Sequence, residues 1–186
     1  MIYIISGASR SGKTLLAKKM LAKKGVTYLS LDWLIMGFTN GIPEYGIHDL
    51  LFPDEIAKRA WSFLKAMFES MLHVETDCIV EGEALLPELI VALYNKYPKH
   101  LKICFVGYAD ITPVKKFENI KAFSSGKNDW LFDKSDEYIL DHVNNMIAHS
   151  KLIKQSCKTN NVTYFDTSKD FMGVLEQIMK YLLDEV

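Results

Sequence analysis

Gly7-Ala8-Ser9-Arg10-Ser11-Gly12-Lys13-Thr14 is the stretch from which the fold is read. It has the spacing G-x-x-x-x-G-K-[ST], and its flanks suit it as well as its letters do. Before it, Met1-Ile2-Tyr3-Ile4-Ile5 is a short apolar, β-branched run that reads as a buried strand. After it, Leu15, Leu16, Ala17, Met20 and Leu21 recur at helical spacing among Lys18, Lys19, Lys23 and Lys24. A strand, a glycine-bearing turn and a helix let successive backbone N–H groups converge on an anion at the positive end of the helix. In such a loop Lys13 reaches the β- and γ-phosphates of a nucleoside triphosphate and the Thr14 hydroxyl takes a place on Mg²⁺. The alternative is a chance match in a glycine-bearing turn, and the strand and helix on either side count against it.

Composition narrows the remaining classes. A chain of 186 residues, 49% apolar and 24% charged, is long enough for one domain with a real core and too apolar for disorder. A formal net charge of −1 gives no electrostatic reason to expect a nucleic-acid partner. Cys78, Cys104 and Cys157 are odd in number, widely spaced and in apolar surroundings, which reads as core thiols in a reducing compartment. The opening apolar run lacks a basic leader and is too short for a signal peptide or a membrane span. A soluble cytoplasmic protein is expected, without a membrane partner, as a monomer or a homodimer.

The rest of the chain alternates strands with helices. Lys24-Gly25 stops the first helix, and Val26 to Leu31 reads as a second strand ending at Asp32. Residues 33–52 mix Gly37, Gly41, Pro43 and Gly46 with Trp33, Phe38, Tyr45 and Phe52, which reads as a structured loop. Pro53-Asp54-Glu55 starts a helix with proline and acids in its first turn. Asp77 to Gly82 is a third strand, Leu86 to Tyr97 a short helix and Leu101 to Val106 a fourth strand. Thr112-Pro113 opens another helix, Ser124 to Asp129 is a polar break, and Ser135 caps a long helix with an apolar face from Ile139 to Ile153. Val162 to Phe165 makes a fifth strand before the last helix. Five strands alternating with helices predict an α/β fold, a parallel sheet covered on both faces. Its ligands would bind beyond the carboxyl ends of the strands.

On the loop Gly7–Thr14 and this order of elements, the chain resembles P-loop NTPases of the nucleoside-monophosphate-kinase type. That group includes shikimate kinase, gluconate kinase and chloramphenicol phosphotransferase. The likeness covers the whole chain in element order and length, with sharp identity confined to the loop. It implies a three-layer fold with a five-stranded parallel sheet in the order 2-3-1-4-5. It further implies a single domain over 1–186, an acceptor-side insertion at about 33–75 and a lid-like region at about 109–135. ATP and Mg²⁺ are the implied cofactors, and a small-molecule acceptor the implied partner.

The resemblance places Asp32 where small-molecule kinases of this type carry an aspartate that orients or deprotonates the acceptor hydroxyl. Holding a metal-bound water and capping the turn are the alternatives. Ile79-Val80-Glu81-Gly82 resembles a Walker-B-like strand end, so Glu81 and Glu83 would meet the metal shell or acceptor hydroxyls, or else be solvated loop acids. Arg10 and Lys13 would stabilise charge on the transferring group. Lys115, Lys116, Lys121 and Lys127 cover the lid-like region, where relatives clamp phosphate with arginines. Here Arg10 and Arg59 are the only arginines. Either a lysine such as Lys127, next to Gly126, takes the cationic role or Arg10 and Lys13 serve alone; a solvated lysine face is the plainer reading. The missing arginines argue against a phosphate-bearing acceptor, with Arg59 as one remaining clamp. Trp33, Phe38, Tyr45 and Trp130 could line an acceptor pocket or fill the core. Asp166-Thr167-Ser168 lies where relatives pack on adenine. His142 and His149 lack metal-ligand spacing. A small-molecule kinase is the leading expectation; a nucleotide kinase and a nucleotide-dependent switch without an acceptor are the alternatives. No N-K-x-D signature occurs, which favours ATP over GTP.

Overall fold

The computed structural model describes residues 1–123 and 129–183. The elements are β1 (Ile2–Gly7), α1 (Lys13–Lys24), β2 (Thr27–Ser30), α2 (Leu31–Gly41), a 3-10 turn at Pro43–Tyr45, α3 (Pro53–His73), β3 (Cys78–Gly82) and α4 (Pro87–Lys96). They continue with β4 (Leu101–Gly107), α5 (Pro113–Phe123), α6 (Asp136–Asn160), β5 (Tyr164–Asp166) and α7 (Phe171–Leu183). The five strands form one parallel sheet in the order β2-β3-β1-β4-β5. This is the predicted three-layer P-loop kinase-like fold.

Alternation along β1 shows how the layers form. Ile2 and Ile4 point to the face covered by α2, α3, α4 and α6, where Leu31, Leu64, Phe68, Ile90 and Ile153 pack. Tyr3 and Ile5 point to the other face, against Leu16 and Met20 of α1 and Leu175, Ile178 and Leu182 of α7. A strand buried on both faces has to be apolar throughout, which is why β1 carries no polar-apolar alternation. A third cluster joins α5 and α6 through Ile120, Leu131, Ile139, Val143 and Ile147, with Ala8 and Tyr108 against it. The last two residues bring that cluster up to the loop that follows β1.

Several predicted boundaries hold for the predicted reasons. Gly25, in left-handed geometry with φ +67°, ends α1 and donates its N–H to Leu21 O at 2.8 Å. Thr112 Oγ1 accepts from Lys115 N and Ser135 Oγ from Tyr138 N, both at 3.3 Å. Cys78, Cys104 and Cys157 are buried free thiols. No helix among the described residues is long and apolar enough to cross a membrane.

Residues 33–41 depart from the expectation of a loop, and Leu31 and Asp32 from that of a strand end, because all of them belong to α2. Leu31, Ile35 and Phe38, spaced by four and three, are buried on one stripe of α2. Gly37 and Gly41 have open space where a side chain would project, so they lie on the far side and cost only propensity, about 1 kcal/mol each. Burial of the stripe outweighs the breakers. Asp32 therefore stands in the first turn of α2, two residues past the end of β2, and not at a strand terminus.

Candidate active site

Backbone geometry makes the loop after β1. Gly7 has φ +129°, and a Cβ there would lie 2.0 Å from Val106 O, so only glycine lets β1 leave the sheet this close to β4. Ala8 N donates to Val106 O at 3.0 Å. Arg10 (φ +53°) and Gly12 (φ +97°) take left-handed turns that bring the chain round into α1. A Cβ on Gly12 would sit 2.9 Å from the Phe171 ring, so α7 closes the loop from outside. Ser11 Oγ and Arg10 Nε are buried without a partner among the described residues. Unpaired polar atoms inside a folded protein are costly, and here they sit in the stretch whose letters predict an anion.

Lys13 and Thr14, the first two residues of α1, connect the loop to β3. Lys13 is buried, and its Nζ donates to Ala8 O at 2.7 Å and lies 3.5 Å from Glu83 Oε1. Thr14 Oγ1 donates to Glu81 Oε2 at 3.2 Å. Glu81 is 1% exposed and receives a second hydrogen bond on Oε1 from Tyr28 OH at 2.8 Å. Burial and the Glu81 carboxylate together push the Tyr28 hydroxyl up to about 12. Sheet register explains the meeting: Ser30 pairs with Glu81 and Ser6 with Gly82, so the ends of β2, β3 and β1 stand abreast. Asp32 keeps a solvent-exposed edge on α2. Even so, loss of hydration raises its carboxyl above the ordinary range; Lys13 opposes this, and Glu81 and Glu83 reinforce it. One neighbourhood thus holds Lys13, Thr14, Asp32, Glu81 and Glu83.

Other sequence-predicted residues lie elsewhere. The Arg10 guanidinium pairs with Asp129, and its carbon is 5.9 Å from the Trp130 ring centre. Arg59 donates to Gly46 O at 2.6 Å and lies 3.9 Å from Glu55, so its recorded partners belong to α3 and the segment before it. Trp33 is exposed, edge-on to Tyr28 with ring centres 5.5 Å apart. Phe38 is core, packed on Phe63 at 5.2 Å, and Tyr45 stands exposed beside it. Asp166-Thr167-Ser168 folds back on the end of β4: Thr167 N donates to Gly107 O at 2.7 Å, and Asp166 Oδ2 accepts from Ala109 N at 3.1 Å. Lys127 lies outside the described residues.

Lys116 is the residue the sequence reading passed over. The sequence places it on a solvated lysine face, yet it is 7% exposed. Its Nζ donates to Arg10 O at 3.0 Å and stands 3.5 Å over the Tyr108 ring. Tyr108 OH in turn donates to Ser9 O at 2.5 Å. Burial brings the Lys116 ammonium down to about 7, and the Arg10 and Lys13 charges push the same way. One signal was present: Lys116 lies four residues before the buried Ile120, on the inward stripe of α5. Its neighbour Lys115 is the exposed one, paired with Glu118.

Among the described residues no group of three or more His, Cys, Asp or Glu could hold a metal by protein ligands alone. Mg²⁺ takes one or two protein oxygens and keeps its waters, so Thr14 Oγ1 beside the buried Glu81 carboxylate suits it. An open cleft of about 540 Å³ lies instead along α6 and β5, lined by Lys151, Lys154, Lys158 and Tyr164 among others. It contains none of the loop residues.

No protein-family model and no curated protein matches the chain. Solved structures do. A shikimate kinase from Bacteroides thetaiotaomicron superposes with a TM-score of 0.57 at 16% identity over 98% of both chains. A sugar kinase from Janibacter sp. HTCC2649 gives 0.55 at 14%, over 97% of this chain and 93% of its own. A gluconokinase from Sinorhizobium meliloti 1021 gives 0.52 at 16%, over 97% and 90%. At such identities the likeness is one of fold.

Proposed function

We propose that this protein is a soluble, cytoplasmic kinase that transfers the γ-phosphoryl group of ATP to a hydroxyl of a small, unphosphorylated molecule. The observation that carries the reading is the buried Lys13 ammonium at the mouth of the glycine-turned loop, within reach of Glu83 and beside the Thr14–Glu81 pair. The sugar, shikimate and gluconate kinases that share the fold support it. The loop Gly7–Thr14 binds the triphosphate through backbone N–H groups, and Lys13 stabilises charge on the transferring group. Thr14 and Glu81 hold Mg²⁺ with its water shell, and the metal supplies further charge neutralisation. Asp32 orients the acceptor hydroxyl and takes its proton as oxygen bonds to phosphorus and ADP leaves. A carboxylate made more basic by lost hydration suits that task. Trp33 and Glu83 flank the acceptor. Arg10 acts by holding the loop against Asp129 and Trp130, and its charge reaches the phosphates from there.

A nucleoside-monophosphate acceptor is the weaker reading, because Arg59 is already engaged by Gly46 O and Glu55. The test is calorimetric titration with Mg²⁺ and a non-hydrolysable ATP analogue, then turnover with an acceptor found by thermal shift. Asp32→Asn is expected to bind nucleotide as the parent does and to lose about 10²-fold or more in turnover. Absence of nucleotide binding, or full turnover by Asp32→Asn, would refute the assignment.

A further inference from the structure

The charges around the loop are unevenly supplied. Of the two arginines in the chain, Arg10 faces Asp129 and Trp130, and Arg59 faces Gly46 O and Glu55. Lys116 is spent on Arg10 O and the Tyr108 ring. Lys13 is therefore the described cation that reaches Glu83. Its Nζ already donates to Ala8 O and lies against Glu83, and when a triphosphate takes the remaining N–H its one positive charge is shared between phosphate and carboxylate. Glu81 already accepts from Thr14 and Tyr28. Glu83, a quarter exposed, and Asp32, on the open edge of α2, are left facing an acceptor with negative charge and no guanidinium between them.

His149 on α6 adds to this picture without changing its sign. Its buried Nε2 has no partner among the described residues. Burial lowers its proton affinity, with Glu83 opposing and Lys13 assisting. A neutral imidazole can hydrogen-bond a hydroxyl but cannot neutralise a carboxylate or phosphate on the acceptor.

We infer that the acceptor is a hydroxyl compound bearing a protonated amine, an amino alcohol or amino sugar and not a sugar acid, with Glu83 binding the ammonium while Asp32 orients the reacting hydroxyl. The inference rests on the kinase reading above. An ammonium supplies the neutralising charge that Glu83 loses when Lys13 is shared with phosphate, whereas an acidic acceptor sets like charges together in a partly dehydrated cleft.

The test uses the full chain at pH 7, saturated with Mg²⁺ and a non-hydrolysable ATP analogue whose uptake is first measured alone. Matched triads are then titrated: glucosamine, glucose and glucuronate; and serinol, glycerol and glycerate. In at least one triad the amine is expected to bind about ten-fold tighter than the neutral compound, as a charge-assisted hydrogen bond would give. The acid should bind weakest. Glu83→Gln should erase the amine's advantage, Glu83→Asp should keep part of it, and added salt should shrink it. Equal binding within the triads, tighter binding of an acid, or binding of no member to nucleotide-loaded protein overturns the inference. Failure to take up nucleotide at all shows in the first titration and overturns the kinase reading, and this inference with it.

Discussion

Replacing Lys116 by methionine should stabilise the protein in acid far more than in alkali. In the folded chain the Lys116 ammonium titrates at about 7, against 10.5 for a free lysine, because burial strips its water and Arg10 and Lys13 repel it. At about 1.36 kcal/mol per pH unit, the folded state disfavours the charge by roughly 5 kcal/mol. The sign follows from proton counting. Between pH 7 and 10.5 the unfolded chain holds a proton on Lys116 that the folded chain has shed, so stability rises with pH across that window. Below pH 7 both states are protonated and the cost is present in full. Methionine fills much the same volume and carries no charge, so every other titration cancels in the difference between the two proteins. That difference should move by roughly 2–3 kcal/mol in favour of the lysine protein on going from pH 6 to pH 9. What the neutral amine keeps of its hydrogen bond to Arg10 O and its packing on Tyr108 shifts both ends equally, and the part that depends on charge belongs to the titration itself. Urea unfolding of both proteins, followed by tryptophan fluorescence at four or five pH values, measures it. A difference constant to within about 0.5 kcal/mol would mean that Lys116 keeps an ordinary amine, and the account of a dehydrated cation under the loop would be wrong.

Glycines sort by their surroundings. Gly7→Ala should lose about 3 kcal/mol or more, since its Cβ would meet backbone at 2.0 Å. Gly25→Ala, also at positive φ but with nothing within 4 Å, should lose only about 1 kcal/mol by urea unfolding. Phe68→Ala, which empties a fully buried site between α3 and the sheet, should cost about 3–5 kcal/mol by the same measurement. Lys13→Ala should weaken Mg-nucleotide binding by at least about ten-fold in calorimetry, as removal of a charged hydrogen bond does, and abolish transfer. Affinity unchanged within three-fold would remove Lys13 from the phosphates.

What could be read from the chain alone was whatever is local. The loop was legible because eight consecutive residues and their two flanks carry the pattern, and the caps at Thr112 and Ser135 because capping acts over three residues. The order of the sheet came from resemblance, since no spacing within the chain says that β3 lies between β1 and β2. Helix α2 was hidden by its glycines, which weigh on a propensity count and weigh little once Leu31, Ile35 and Phe38 are buried. The contact of Arg10 with Asp129 is not legible in the sequence, because nothing near Arg10 points to a residue 119 positions on. Tyr28 as second partner of Glu81 was invisible for the same reason. Lys116 was masked by its neighbour, although its register with Ile120 gave it away.

A line of hydrogen bonds crosses the molecule from its last strand to its first turn. Asp166 and Ser150 share the Tyr164 hydroxyl at 3.4 and 3.1 Å, Ser150 Oγ accepts from Tyr108 N at 2.8 Å, and Tyr108 OH donates to Ser9 O. Gly107 has no side chain because Ser150 and Tyr164 occupy its space, each 2.3 Å from where a Cβ would stand. The edge strand β5 and the loop before α1 are thereby coupled: a substitution that displaced the Tyr164 hydroxyl would be felt where the first helix begins.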